Sequence, residues 1–312
     1  MPSIPQIIRH KLTILALITG LSLLAIGSTQ AQEAQDGPWT FRIDGGAVHQ
    51  SDSDLKDGGG KFSLDRWFAS AGVDYAWNQR NMVGLTVGGG RSDYVFAEQS
   101  AFSGGNPWGE IEDLRLSITA RFKISNTGTG ILIPTMRSNG ESGADSGDSR
   151  TYGLFAAAAW RINDGLTIGP GIGVFSKLED GTRVFPILVI DWDISERWNL
   201  ATGRGLAASQ GPGLTLSYQL SRRWKLALTG RYEDLEFRLD DEGAEPGGIG
   251  RDQSFPLVFS GVFEAGPMAS FSVFAGVELN GKLKLKNAFD EVIDESSYDP
   301  AAIFGATVEL RF

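Results

Sequence analysis

Past residue 31, this 312-residue chain has no run of about 18 apolar residues, and its hydrophobicity alternates with a period of two almost everywhere. In 114–124, Leu114, Leu116, Ile118, Ala120, Phe122 and Ile124 fall on one face, and Arg115, Ser117, Thr119, Arg121 and Lys123 on the other. Successive side chains of a strand point to opposite faces, so the spacing predicts a strand with one apolar side. The same pattern recurs in 67–77 (Trp67, Ala69, Ala71, Val73, Tyr75, Trp77), 152–162, 214–220, 224–232, 271–279 and 302–312. Sustained helical spacing is confined to the N-terminal thirty residues. Strands of about ten residues have the length a tilted strand needs to cross a bilayer. Lipid offers the backbone no hydrogen bonds, so a chain of such strands can span a membrane only as a closed barrel.

The connections alternate as well. Tight links are expected at Asn78-Gln79, 126–130, Asn163-Asp164-Gly165, Ser195-Glu196, Ser221-Arg222 and Ala265-Gly266-Pro267. Longer polar segments lie between them at 50–61, 98–110, 138–150, 240–252 and 286–299, with two short exceptions near Glu179 and Gly211. Short turns at one end and long loops at the other mark an antiparallel up-and-down transmembrane β-barrel with periplasmic turns and extracellular loops. The expected fold is therefore all-β, with about 14 strands. About 12 is the alternative, because 131–136 contains Pro134 and 198–206 alternates poorly. Six of the eight tryptophans, Trp39, Trp77, Trp160, Trp192, Trp198 and Trp224, fall on the short-turn side, where an aromatic girdle at the lipid headgroups is expected.

Residues 1–31 read as a cleaved signal peptide. Arg9, His10 and Lys11 precede an apolar run over 12–26, too short to span, and Thr29 and Ala31 supply the small residues of a cleavage site. Residues 32–312 are then one barrel domain, exported through the periplasm to the bacterial outer membrane. With no Cys in the chain, lipoprotein processing, disulfides and thiolate chemistry are excluded. Cleavage removes Arg9 and Lys11 but no acid, leaving 26 basic against 38 acidic residues and a formal charge of −12. Such a charge disfavours nucleic acid as a partner.

With the apolar face toward lipid, the other face lines the interior. Arg115, Arg121, Lys123, Lys225 and Arg231 are candidate lumen cations; Asp74, Glu233, Glu264, Glu278 and Glu309 are candidate anions. In a 12- to 14-strand barrel they either ring a narrow, weakly selective aqueous path or pair across strands and close it. Gly84, Gly88 and Gly90, and Gly169, Gly171 and Gly173, relieve crowding on that inner face. The only His beyond residue 31 is His49, at the outer end of the first strand beside Ser51 and Asp52, which makes a rim hydrolase or acyltransferase a distant third reading. The loop carboxylates lack calcium-hand spacing, so neither cofactor nor metal is expected.

Gly305, Val308, Leu310 and the terminal Phe312 resemble the closing-strand signal of bacterial outer-membrane barrels, which implies the barrel-assembly machinery as a partner in biogenesis alongside outer-membrane lipid. The stretch 184–200, VFPILVIDWDISERWNL, followed by Gly211-Pro-Gly-Leu-Thr-Leu-Ser-Tyr218, resembles a group of functionally uncharacterised outer-membrane barrel domains, and this resemblance covers mainly 151–232. It implies a barrel with no catalytic residues to carry over. Two functions remain open: a porin-like passive pore or transporter for a small solute, and a closed structural or adhesive barrel that contacts surface lipid or a partner through acidic loops.

Overall fold

The computed structural model describes residues 37–97, 102, 106–202 and 213–312, and all of its regular structure is β. The strand segments are β1 (Trp39–Asp54), β2 (Lys61–Asn78), β3 (Asn81–Ala97), β4 (Glu110–Lys123), β5 (Gly128–Glu141), β6 (Arg150–Asn163), β7 (Leu166–Ser176), β8 (Thr182–Asp193), β9 (Trp198–Thr202), β10 (Gly213–Gln219), β11 (Trp224–Arg231), β12 (Glu233–Arg238), β13 (Ile249–Glu264), β14 (Ala269–Lys286), β15 (Val292–Ser297) and β16 (Ala301–Arg311). Each pairs antiparallel with its neighbour around the ring, and β1 with β16 closes it. β11 and β12 both pair with β13, and β15 and β16 both pair with β14, so each couple is one interrupted wall strand. The wall therefore has 14 strands. Both segments behind the 12-strand alternative are strands: β5 keeps Pro134 in register opposite Leu154, and β9 pairs with β8 and β10. The expected signal peptide, 1–31, lies outside the described residues.

The outward face is apolar over one band. On β2 it runs from Trp77 through Tyr75, Val73, Ala71 and Ala69 to Trp67. At ~3.3 Å per residue this is roughly 33 Å along the strand. A tilt of about 40° reduces it to ~25 Å, the height of an outer-membrane barrel's apolar belt. Trp39, Trp77, Trp160, Trp192, Trp198 and Trp224 are all exposed on this outer surface at the turn end. The turns themselves are tight: Asn78 Oδ1 accepts the backbone N–H of both Arg80 and Asn81, each at 3.0 Å.

Beyond Trp67 the polarity of the two faces exchanges. Asp65, Ser63 and Lys61 point outward on β2 while Leu64 and Phe62 are buried inside; on β3, Arg91 and Asp93 are outside and Tyr94 and Phe96 inside. These strand ends stand clear of lipid, and with water outside the hydrophobic effect favours an apolar interior. The exchange coincides with irregularities in three adjacent strands. The β1–β2 register slips between Gln50 and Ser53. The β13–β14 register slips between Gln253 and Phe255, opposite Asn280 and Gly281, with Asn280 at φ 53°. The wall strand β15–β16 breaks at 298–300. An extra residue bends the bulged strand and shifts its side-chain phase.

That phase shift explains three misplaced boundaries. Segments expected as loops at 50–61, 240–252 and 286–299 contain the end of β1, the start of β13 and all of β15. Inward side chains are Val48 and Gln50 before the β1 slip but Ser53 and Leu55 after it, so simple alternation ends although the strand does not.

Candidate functional site

At the loop end an aromatic cluster packs into the barrel interior. Phe62 of β2, Tyr94 and Phe96 of β3, Phe237 of β12 and Tyr298 after β15 meet Phe102 and Trp108, which come from the segment between β3 and β4. Trp108 stands edge-on to Phe237 at a centroid separation of 5.2 Å, and Phe62 to Tyr298 at 4.9 Å. Such edge-to-face pairs each contribute about 0.5–1.5 kcal/mol beyond the area they bury.

The closure depends on β12 leaving the wall. Past Tyr232 it keeps its ladder with β13 but crosses the mouth to bridge β5, where Arg238 lies opposite Gly140. Its apolar side, Leu235 and Phe237, enters the aromatic cluster. Its charged side meets β8: Arg183 pairs with Asp234 at 3.1 Å and with Glu236 at 3.0 Å. Arg238 pairs with Glu179 at 2.6 Å and donates to the Asp148 and Leu178 carbonyls. β12 is thus a strut held at both faces.

Beneath the cluster lies a buried charged layer. Arg66 of β2 pairs with Glu233 at 3.4 Å. Asp252 accepts hydrogen bonds from Tyr94 Oη at 2.8 Å and Tyr298 Oη at 3.2 Å, and Glu278 accepts from Ser254 Oγ at 2.5 Å. A buried charge is tolerable only with such partners.

At the level of this layer lies a pocket with an empty volume of about 580 Å³, part of which is open solvent. Val48, Val258, Phe274 and Ile303 form its apolar wall. Gln50 projects into it at 1 % exposure, and neither side-chain amide atom has a hydrogen-bond partner. Leaving such a group unsatisfied costs about 1–3 kcal/mol.

Midway down the lumen Ser70, Gly72, Gly88 and Thr215 face inward, and Ser70, Gly88 and Thr215 are buried. Toward the turn end the wall carries the ion pairs Arg42–Asp74 (3.1 Å), Lys225–Glu264 (3.7 Å) and Arg311–Glu309 (2.7 Å), the last two partly exposed. Of the charges expected to line the interior, Arg115 sits opposite Arg137 on the β4–β5 wall, Arg121 donates to the Gln79 carbonyl at 3.3 Å, and Lys123 lies at the exposed turn end of β4. Arg231 and Glu278 belong instead to the buried region under the mouth. The structure therefore distributes these residues over different depths and does not gather them in one ring.

The rim constellation expected around His49 does not form. His49 faces outward, its Nδ1 2.6 Å from Asp65 Oδ1 on the neighbouring strand and its ring 4.9 Å from that of Phe304. Ser51 Oγ instead donates to the Ala302 carbonyl at 3.2 Å, and Asp52 pairs with Lys61 at 3.6 Å. The β1 bulge separates these side chains from the imidazole. Part of the loop acidity is neutralised locally: Lys286 pairs with Asp290 at 2.6 Å, and Lys282 and Lys284 both reach Glu295. Among the described residues, no group of three or more His, Asp or Glu side chains is arranged to hold a metal ion.

The aromatic mouth is the part that alternation did not reveal. A signal existed: Phe62 and Leu64 share the inward phase of Arg66, and Tyr94 and Phe96 that of Ser92, so large apolar groups occupy the polar register only at the loop ends.

A closed antiparallel ring of 14 strands, with an apolar outer belt, aromatic girdle, tight turns at one end and longer loops at the other, is an outer-membrane β-barrel. The chain belongs to the family described as Domain of unknown function (DUF6268), which matches residues 147–308. Among solved structures it is similar to the COG4313 outer membrane channel from Pseudomonas putida F1, with a TM-score of 0.50 and 11% identity over 91% of this chain and 99% of that one. The translocator domain of autotransporter NalP from Neisseria meningitidis aligns with a TM-score of 0.38 and 14% identity over 97% and 98% of the two chains. The TodX deltaS2S3 mutant monoaromatic hydrocarbon channel aligns with 0.46 and 9% over 88% and 91%. At these identities the likeness is one of fold. No curated protein shows a significant match to the sequence.

Proposed function

We propose that this barrel is a passive pore or transporter for small solutes in the bacterial outer membrane. The observation that carries this reading is the contrast along the lumen. The turn-end half carries charges left partly exposed, Lys225, Glu264, Glu309 and Arg311, whereas the block lies at the loop end and is built from an inter-strand segment and a strut. A purely structural barrel has no need of partly solvated charges on its inner wall. In this reading residues 1–31 are removed on export through the periplasm, the assembly machinery recognises Gly305, Val308, Leu310 and Phe312, and the turn end faces the periplasm. Arg121, Lys123 and Glu309 bias which ions enter from that side, and Arg115 acts farther in.

A second reading, a closed barrel that works through its loops, draws on the aromatic packing at the mouth. Liposome swelling separates the two. Vesicles carrying the folded protein should admit small neutral sugars faster than empty vesicles, at a rate that falls with solute size. Swelling no faster than that of empty vesicles favours the closed barrel. His49→Ala should leave the swelling rate unchanged.

A further inference from the structure

We infer that the pocket under the mouth is a binding site for a small uncharged molecule with an apolar body and a single hydroxyl or amide group. This deepens the solute-pore reading and rests on it, because the occupant reaches the pocket through the lumen.

Gln50 is the most deeply buried polar side chain on the pocket wall. Its side chain is 99% buried in effect, at 1 % exposure, and lines the pocket with both Nε2 and Oε1 unpartnered. Nearly all buried amides in folded proteins find a hydrogen-bond partner, so one whose donor and acceptor both lack one is a recognition element awaiting its complement. The rest of the wall limits what that complement can be. Val48, Val258, Phe274 and Ile303 present hydrocarbon and one aromatic ring. Room for that ring comes from Gly305, where a Cβ would collide with both Phe274 and the Ala47 carbonyl.

Charge narrows the class further. Glu233 and Glu278 line the same pocket and disfavour an anion, while Arg66 and Arg231 disfavour a cation. A neutral hydroxyl can both donate to Oε1 and accept from Nε2, as can a primary amide, so phenols, alcohols and simple amides match best, pure hydrocarbons bind more weakly through the apolar wall alone, and ions do not fit. The β1 slip immediately after Gln50 ends the regular β1–β2 ladder at this point, one inward position on from the Val48–Arg66 pair.

The test uses the protein purified from membranes, reconstituted in nanodiscs, with 4-fluorophenol and 4-fluorotoluene followed by fluorine NMR. The wild type should bind 4-fluorophenol saturably, and Gln50→Met should weaken that binding about tenfold while leaving 4-fluorotoluene unchanged or tighter. Val258→Trp, which fills the pocket without touching the amide, should abolish saturable binding of both. Correct folding of each variant is checked by heat-modifiable mobility in gels. No saturable binding to the folded wild type, or equal loss of both probes in Gln50→Met, overturns the assignment. Liposome swelling on the same preparations keeps the two ideas apart: swelling without binding sinks the site and spares the pore, and binding without swelling does the reverse.

Discussion

Arg66 and Glu233 meet at 3.4 Å across the barrel, one on β2 and the other at the point where β12 leaves the wall. Both side chains are largely withdrawn from water, and they join strands that do not pair with each other. The pair therefore fixes where the strut begins. It also gives a countercharge to a layer in which Asp252 and Glu278 are buried nearby.

Removing the cation should be costly. Arg66→Met leaves three carboxylates beneath an apolar cluster, and losing one partner of a buried pair destabilises by about 3–5 kcal/mol. Urea unfolding of the reconstituted barrel measures this, and adding Glu278→Gln should recover part of the loss because the two sites couple. A cost under about 1 kcal/mol would mean that water solvates this layer freely.

Gly281 controls the mouth through packing. It sits in the β14 irregularity, and a Cβ there would collide with the ring of Tyr298, whose hydroxyl donates to Asp252. Gly281→Ala should displace that ring, reduce stability by roughly 1–3 kcal/mol as overpacking does, and speed small-sugar swelling. Unchanged stability and swelling would show that the ring has an alternative seat.

The loop beyond β14 carries a pH dependence of defined sign. The Lys286 ammonium, bonded to Asp290 at 2.6 Å, holds the Asp290 carboxyl below its ordinary value. A depressed carboxylate contributes stability that is fully present above its unfolded pKa of about 3.9 and is lost as pH falls through the lower folded value. The β14–β15 tip should therefore loosen below about pH 4, seen as faster amide exchange over 287–297. Asp290 adopts φ 64°, a conformation Asn tolerates well, so Asp290→Asn should keep the backbone and flatten the acid dependence. An identical acid response in the variant would assign the loosening to other groups.

Local pattern carried most of the barrel and little of its mouth. The strand over 114–124 was legible because Leu114 to Ile124 obey one rule, apolar toward lipid, for the full width of the bilayer. Above Trp67 the solvent changes, the rule inverts, and bulges near Gln50 and Gly281 shift the phase, so the end of β1, the start of β13 and all of β15 read as loop. Phe102 and Trp108 lie in a segment read as a polar loop, and only tertiary packing turns them inward. The departure of β12 has no local signal, since Glu233–Arg238 continues the preceding strand and bends across because Arg183 and Gly140 receive it on the far side. For the same reason Arg121 and Glu278 looked equivalent in sequence, while the structure places one near the turn end and the other in the buried layer.

A lumen that conducts only past the aromatic mouth can be measured electrically. Single-channel recording in a planar bilayer compares the membrane-purified protein with a Phe102→Ala/Trp108→Ala variant of verified fold. Small or infrequent unitary steps are expected for the wild type and steps several-fold larger for the variant; silence from both folded barrels would contradict the proposed pore.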